Sequence, residues 1–290
     1  MNGRARIPAV AGSFYPAEPA RLRTMAETLI AAGRAAPRPA GLTPGPVLGL
    51  LVPHAGLVYS GGIAALSWAL AGDMEPATVV LAGTDHQAWA EGVGVWTGGP
   101  WLSPLGEVPV DDELAAMMAA LGPPFAADNE AHLTEHSLEV QLPLLSVACP
   151  AARIVPLAVS PRLRSHSRAG LMLGRLLAER RSSGKRILLV ASSDMAHYPP
   201  ADVCERADSE LLKPLLRLDG DGLDDLDAKL QMDNLPGLVC GLCGIDPVRV
   251  TLAALAEMGA VRGILLGAAT SADAGGDPSR TVGYAAAAFV

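Results

Sequence analysis

Residues 187–197 read ILLVASSDMAH, and their reading decides the architecture. Ile187 to Ala191 are apolar at consecutive positions, the pattern of a parallel strand covered on both faces, where a half-exposed strand would alternate. The run then breaks into Ser192, Ser193, Asp194 and His197. Two further stretches repeat that design: LGLLVPHAG at 48–56 delivers His54, and TVVLAGTDH at 78–86 delivers His86. Further apolar runs at 154–159, 263–266 and 282–289 read as strands. Helical spacing occupies 62–71, 111–121, 137–147, 169–180, 201–218, 224–232 and 244–258. This alternation predicts an α/β fold with a mostly parallel central sheet covered by helices on both faces. A Pro- and Gly-rich stretch at 35–46 reads as a long connection after an N-terminal helix, inside a single domain spanning 1–290.

Composition sets the class limits. The 290 residues are 50% hydrophobic and 18% charged, which excludes a disordered chain, and 4% aromatic, so Ala, Val and Leu must build the core. With 22 Lys and Arg against 30 Asp and Glu, the formal charge of −8 argues against a general grip on nucleic acid or an anionic membrane. The start, MNGRARIPAVAGSFYP, lacks the apolar core of a signal peptide, no stretch is long enough for a membrane span, and four cysteines are too few for a disulfide framework. A cytoplasmic protein is expected.

In open α/β sheets ligands bind beyond the carboxyl ends of the strands, so His54, His86 and His197 should meet at one edge. One such histidine could serve packing alone; three independent strands delivering imidazoles point to a site. Two imidazoles suit Zn, Cu, Fe or Ni, and Cys243, at the start of a predicted helix in VCGLCGIDP, is the candidate third ligand. The helix N-terminus should favour its thiolate. Cys240 and Cys243 also form a C-x-x-C, for which a redox pair is the alternative. His197 could move protons, with Asp194 orienting it or standing behind it; alternatively Ser192, Ser193 and Asp194 only cap the next helix. Residues 132–136, HLTEH, match the inverted zinc-protease pattern H-x-x-E-H. A helix capped by Asp128 or Asn129 and running to Pro143 would put His132 and His136 one turn apart.

The succession PAVAGSFYP (8–16), PHAGLVYSG (53–61), LAGTDH (81–86), PLGEVPVDDEL (104–114), EHSLEVQLP (135–143), IVPLAV (154–159), SSDMAHY (192–198), CGIDP (243–247) and GYAAAAF (283–289) resembles the Memo family nearly end to end. Bacterial and archaeal members are called AmmeMemoRadiSam system protein B. The resemblance also absorbs the H-x-x-E-H string into a family segment unrelated to zinc proteases. It implies a fold similar to LigB-type class III extradiol dioxygenases. It also implies a pocket in which His54, His86 and Cys243 hold a metal beside His197 and Asp194. Phe14, Tyr59 and His136 then fall where a substrate would bind.

The dioxygenases hold ferrous iron with two histidines and a carboxylate. Here Cys243 replaces the carboxylate, and a softer ligand admits copper or zinc as well as Fe(II). The leading expectation is a metal-dependent oxidoreductase, with iron, O2 and a small-molecule or peptide substrate. Its alternatives are a binding module without turnover, using the same pocket, and a zinc hydrolase using His132 and His136. The family's bacterial name also implies an AMMECR1-like protein and a radical SAM enzyme as partners.

Overall fold

A computed structural model describes residues 4–42 and 47–290. Residues 43–46 of the expected connection and the first three residues of the chain lie outside them. The predicted parallel runs form the centre of an eight-stranded mixed sheet. Its middle is β7 (Arg153–Val159), β2 (Thr78–Thr84), β8 (Ile187–Ser192) and β1 (Gly49–Val52), all parallel. Register is set by Val80, which pairs with both Val155 and Leu189, and by Leu50 opposite Val190. Nearly every side chain of these four strands is buried, which is why they read as unbroken apolar runs.

Antiparallel pairing takes over on both flanks. β10 (Gly283–Phe289) pairs antiparallel with β1 and with the edge strand β9 (Gly263–Thr270). On the other side β3 (Val93–Val95) runs antiparallel to β7 and parallel to β6 (Phe125–Ala127). A separate two-stranded ribbon joins β4 (Trp101–Ser103) to β5 (Gly106–Val108). Strands β3 to β6 are each three residues long, too short for a periodic pattern, and were not expected from the sequence.

Helices cover the two faces. One layer holds α5 (His166–Ser182) and α8 (Ile245–Glu257), packed on each other, with α8 against β2, β7 and β8. The other holds α2 (Leu57–Met74) against β1, β9 and β10, backed by α1 (Pro19–Ala35) and α4 (Leu142–Ala148). The helix α3 (Asp112–Ala119) starts at Asp111, whose carboxylate accepts the Leu114 N–H, while α6 (Ala201–Leu216) and α7 (Gly220–Met232) pack near β9 and α8. Among the described residues no helix is long and apolar enough to cross a membrane.

Two helix expectations change. Residues 130–132 form only a 3-10 turn, so no helix runs from Asp128 to Pro143, and 139–141 form a second such turn before α4 opens at Leu142 with Pro143 in its first turn. The α5–α8 contact depends on small residues. A Cβ at Gly174 would lie 2.5 Å from the Ala254 carbonyl oxygen. In an exposed helix, Gly→Ala gains about 1 kcal/mol of propensity; here overpacking against backbone costs about 1–3 kcal/mol. Gly174→Ala should therefore lower stability, seen as a reduced urea midpoint at unchanged slope, and an increase would show that the helices separate freely.

Candidate metal centre

The chain turns sharply after each central strand, and those turns bring the chemistry together. Pro53 and His54 follow β1 and lead into α2; Asp85 and His86 follow β2; Ser193 to His197 follow β8; Cys243 precedes Gly244, the N-cap of α8. One ligand atom each from His54, His86 and Cys243 lie within 4.8 Å of one another. His54 Nε2 stands 3.1 Å from Cys243 Sγ. The His54 ring is 5.5 Å from the rings of both His86 and His136, and those two stack at 4.5 Å.

Hydrogen-bond accounting fixes which nitrogen of His54 carries the proton. The Trp68 indole donates to Gln141 Oε1 (2.9 Å), so the Gln141 amide nitrogen donates to Pro53 O (3.0 Å) and to Ser192 Oγ (2.9 Å). Ser192 gives its own proton to the Ser137 carbonyl (2.7 Å) and can only accept from His54 Nδ1 at 3.0 Å. The lone pair of His54 is left on Nε2, facing the cysteine. Burial, and then the charge of His86, hold His54 at about 3, so it stays neutral.

His86 is fixed in a parallel way by Glu135. Its backbone N–H donates to Oε2 (2.8 Å) and its Nδ1 to Oε1 (3.0 Å), leaving Nε2 as the nitrogen that faces the pocket. Burial alone would raise Glu135, but the bond from His86, the charges of His86 and His136 and the Ser137 N–H lower it to about 2. A carboxylate behind a ligating imidazole is the arrangement that orients metal-binding histidines. Sequence reasoning gave Ser192 only a helix-capping role and Glu135 only a place in H-x-x-E-H, and gave Ser137 and Gln141 no role; the signal available for the last three was the run of alternate polar residues in EHSLEVQ.

Of the two roles expected for Asp194, orienting His197 or standing behind the site, its hydrogen bonds go to the backbone behind His54. Its Oδ1 accepts the backbone N–H groups of His54 (2.7 Å) and Ala55 (3.1 Å), clamping the turn that carries the first histidine. His197 is oriented instead by the Met195 carbonyl, 2.8 Å from its Nδ1. Neither serine caps α6, which begins after Pro200; Ser193 Oγ receives the Gly244 N–H at 3.0 Å, tying the β8 turn to the start of α8. The Cys243 thiol is pushed well up, first by burial and then by Asp194, so desolvation outweighs the helix terminus that should favour a thiolate. A bound cation reverses that balance. Two imidazoles whose Nε2 atoms face inward and one soft sulfur fit a transition-metal ion.

Phe14 packs on His136 with ring centroids 4.8 Å apart, and burial is the main cause that lowers His136 to about 4. The Phe14 carbonyl accepts the Leu57 N–H (2.8 Å), closing the open start of α2, and Tyr59, half-exposed, stands in that helix's first turn. His132 does not join them. It is fully buried beside Trp96 and Trp101, its Nε2 held by the Gly94 carbonyl at 3.0 Å, and burial lowers it to about 3. The H-x-x-E-H pair therefore cannot act as one metal site: without a helix through 133–136, the two imidazoles belong to different surroundings.

Fold and site together define an α/β protein with a candidate two-histidine, one-cysteine metal centre at the carboxyl edge of its parallel strands. The Memo-like protein family model matches residues 6–288. The chain belongs to the Memo family. MEMO1 family proteins of Ignicoccus hospitalis and Methanopyrus kandleri are 36% and 35% identical to it, each alignment covering 98% of both chains. That of Pyrobaculum aerophilum is 36% identical over 99% of both. Among solved structures, an uncharacterised protein from Escherichia coli K12 shares the fold with a TM-score of 0.52 and 18% identity, over 83% of this chain and 99% of that one.

Two outcomes follow. Glu135→Gln, which removes the charge behind His86, should weaken metal binding about 10–100-fold in chelator competition; unchanged affinity would show that His86 is not a ligand. Asp208, on α6, accepts the Ala196 N–H at 2.9 Å and so holds the β8 turn, and burial raises it to about 7. The folded state then keeps a proton that the unfolded state loses above about 4, so stability should fall as pH rises from about 4 to 7. Asp208→Asn should flatten that slope in denaturation curves recorded across the window.

Proposed function

We propose that this protein is a metal-dependent oxidoreductase in which His54, His86 and Cys243 hold iron(II) and an organic substrate reacts with O2. The observation that carries the reading is the proton accounting: the outer nitrogens of both imidazoles are committed to Ser192 and Glu135, so their lone pairs face inward with the Cys243 sulfur. Bound ferrous ion would activate O2 and pass electrons to it from the organic substrate, which is the reductant, and three protein ligands leave coordination positions free.

The chain's own residues supply the rest. His54 stays neutral and fixed through Ser192. Phe14 and His136 form an aromatic wall on one side, which suits a planar organic group, and Tyr59 is exposed in the first turn of the helix that follows His54. His197 donates Nδ1–H to the Met195 carbonyl, so Nε2 is its proton-accepting nitrogen and can take a proton from substrate. Copper or zinc would satisfy the same donors, and metal analysis decides among them.

The test is anaerobic purification, elemental analysis and O2 uptake with catechol-type substrates. Iron at one equivalent is expected, lost in His54→Ala and Cys243→Ala. His197→Ala should keep the metal and slow turnover by about 10²–10⁴-fold. Protein that binds substrate tightly yet consumes no O2 with any metal would replace this reading by a binding module.

A further inference from the structure

A cavity of about 660 Å³ opens between α6 and the edge strand β9, and no residue of the metal centre lines it. Its volume is that of a small-molecule site. Asp208, Leu212 and Leu216 recur every four residues and share one face of α6, where the interval 208–216 spans about 12 Å. The opposite wall is β9, whose Leu265 and small Ala268 line the same space. Leu216 closes one end, since a Cβ at Gly263 would lie 2.8 Å from its side chain. The other end is acidic. Gly283 on β10 pairs with Thr270, and a Cβ at Gly283 would lie 1.8 Å from Asp208 Oδ2, which sets Asp208 beside the end of β9 and the turn that carries Asp273. Glu205, one turn earlier on α6, and Asp273 are exposed, whereas Asp208 is 6% exposed.

Asp208 is buried without a counter-charge. Its Oδ1 accepts the Ala196 N–H at 2.9 Å, and its Oδ2 meets the Cys204 thiol at 3.8 Å. The one cation lining the cavity, Lys213, is held by Glu210. Burial raises Asp208 to about 7, as befits a carboxyl that no cation of the chain faces. Holding one backbone N–H requires no more than a neutral acceptor such as an amide oxygen. A buried carboxylate is ordinarily matched by a positive charge, and at this position the open side of the match is the cavity.

We propose that the groove between α6 and β9 is a binding site for an organic ammonium ion with an aliphatic body, its charge on Asp208 between Glu205 and Asp273 and its chain along Leu212, Leu216 and Leu265. Three carboxyl groups at one end select a cation over an anion, and the leucines select a hydrocarbon body over a small hydrated ion. Occupancy also bears on the turn after β8. An ionised Asp208 accepts the Ala196 N–H more strongly than a protonated one, and His197 follows Ala196 directly. The ligand therefore steadies that turn from outside the metal centre, and the site stands whether or not the metal reading does.

Isothermal titration calorimetry of the full chain with n-hexylammonium chloride tests the site. Hexylammonium should saturate at one per chain. Hexanol and hexanoate, which share the body and lack or reverse the charge, should bind at least about tenfold more weakly, and ammonium chloride should not saturate. Asp208→Asn keeps an oxygen for the Ala196 N–H and loses the charge, so it should weaken hexylammonium about 10–100-fold. Ala268→Leu, at an exposed position of the edge strand, fills the groove while leaving the carboxyl in place, and should weaken it about tenfold. Hexylammonium that fails to saturate at millimolar concentration, hexanoate that binds as well, or either folded variant binding as wild type does overturns the site.

Discussion

The hydroxyl of Ser192 is the point on which the site depends. It ends the central strand β8, gives its proton to the Ser137 carbonyl, and accepts from Gln141 and from His54. One oxygen thereby joins the turn after β1, the end of β8 and the segment before α4. Every group concerned is buried, where an unpaired donor or acceptor costs about 1–3 kcal/mol, so the partners constrain one another and the His54 tautomer follows. Trp68 belongs to this chain although it touches no ligand: its indole proton decides which way the Gln141 amide faces.

The segment 135–141 shows why the helix expected over 137–147 starts late. Glu135, Ser137, Glu139 and Gln141 are all buried, and all are spent on different partners: His86, Ser192 with Thr84, the N-terminal segment, and Trp68 with Ser192. Alternate residues must reach different walls of the protein, which a 3.6-residue repeat does not allow. Backbone turns satisfy that demand, and a regular helix forms only once Leu142 begins an apolar stretch.

The central sheet was legible because burial on both faces forces consecutive apolar residues, and the convergence of His54, His86 and His197 followed from strand direction alone. The supporting groups were less accessible. Glu135 and Gln141 are far in sequence from the histidines that they serve, and nothing in their immediate neighbours announces a long-range bond. The H-x-x-E-H string shows the reverse failure. Its spacing suggested a shared helix face, yet Glu135 backs His86, His136 stacks on His86, and His132 is enclosed by two indoles. Local spacing carries meaning only after the backbone conformation is known.

The N-terminal segment is attached by a buried ion pair whose purpose is placement. Arg6 and Glu139 are fully buried, 2.6 Å apart; Arg6 also donates to the His132 and Glu135 carbonyls and lies 4.2 Å over Trp101. Glu139 in turn accepts the N–H groups of Ala9 and Val10 and the Tyr15 hydroxyl. Desolvating two charges costs about as much as their attraction returns, so such a pair is weak evidence for stability. Its directional bonds do something that an apolar contact cannot. They fix the segment 9–15 in one register against 135–139, which sets Phe14 against His136 and its carbonyl against the start of α2. The same helix start follows the His54 turn that Asp194 clamps, so Phe14 and His54 are held from opposite sides of one junction.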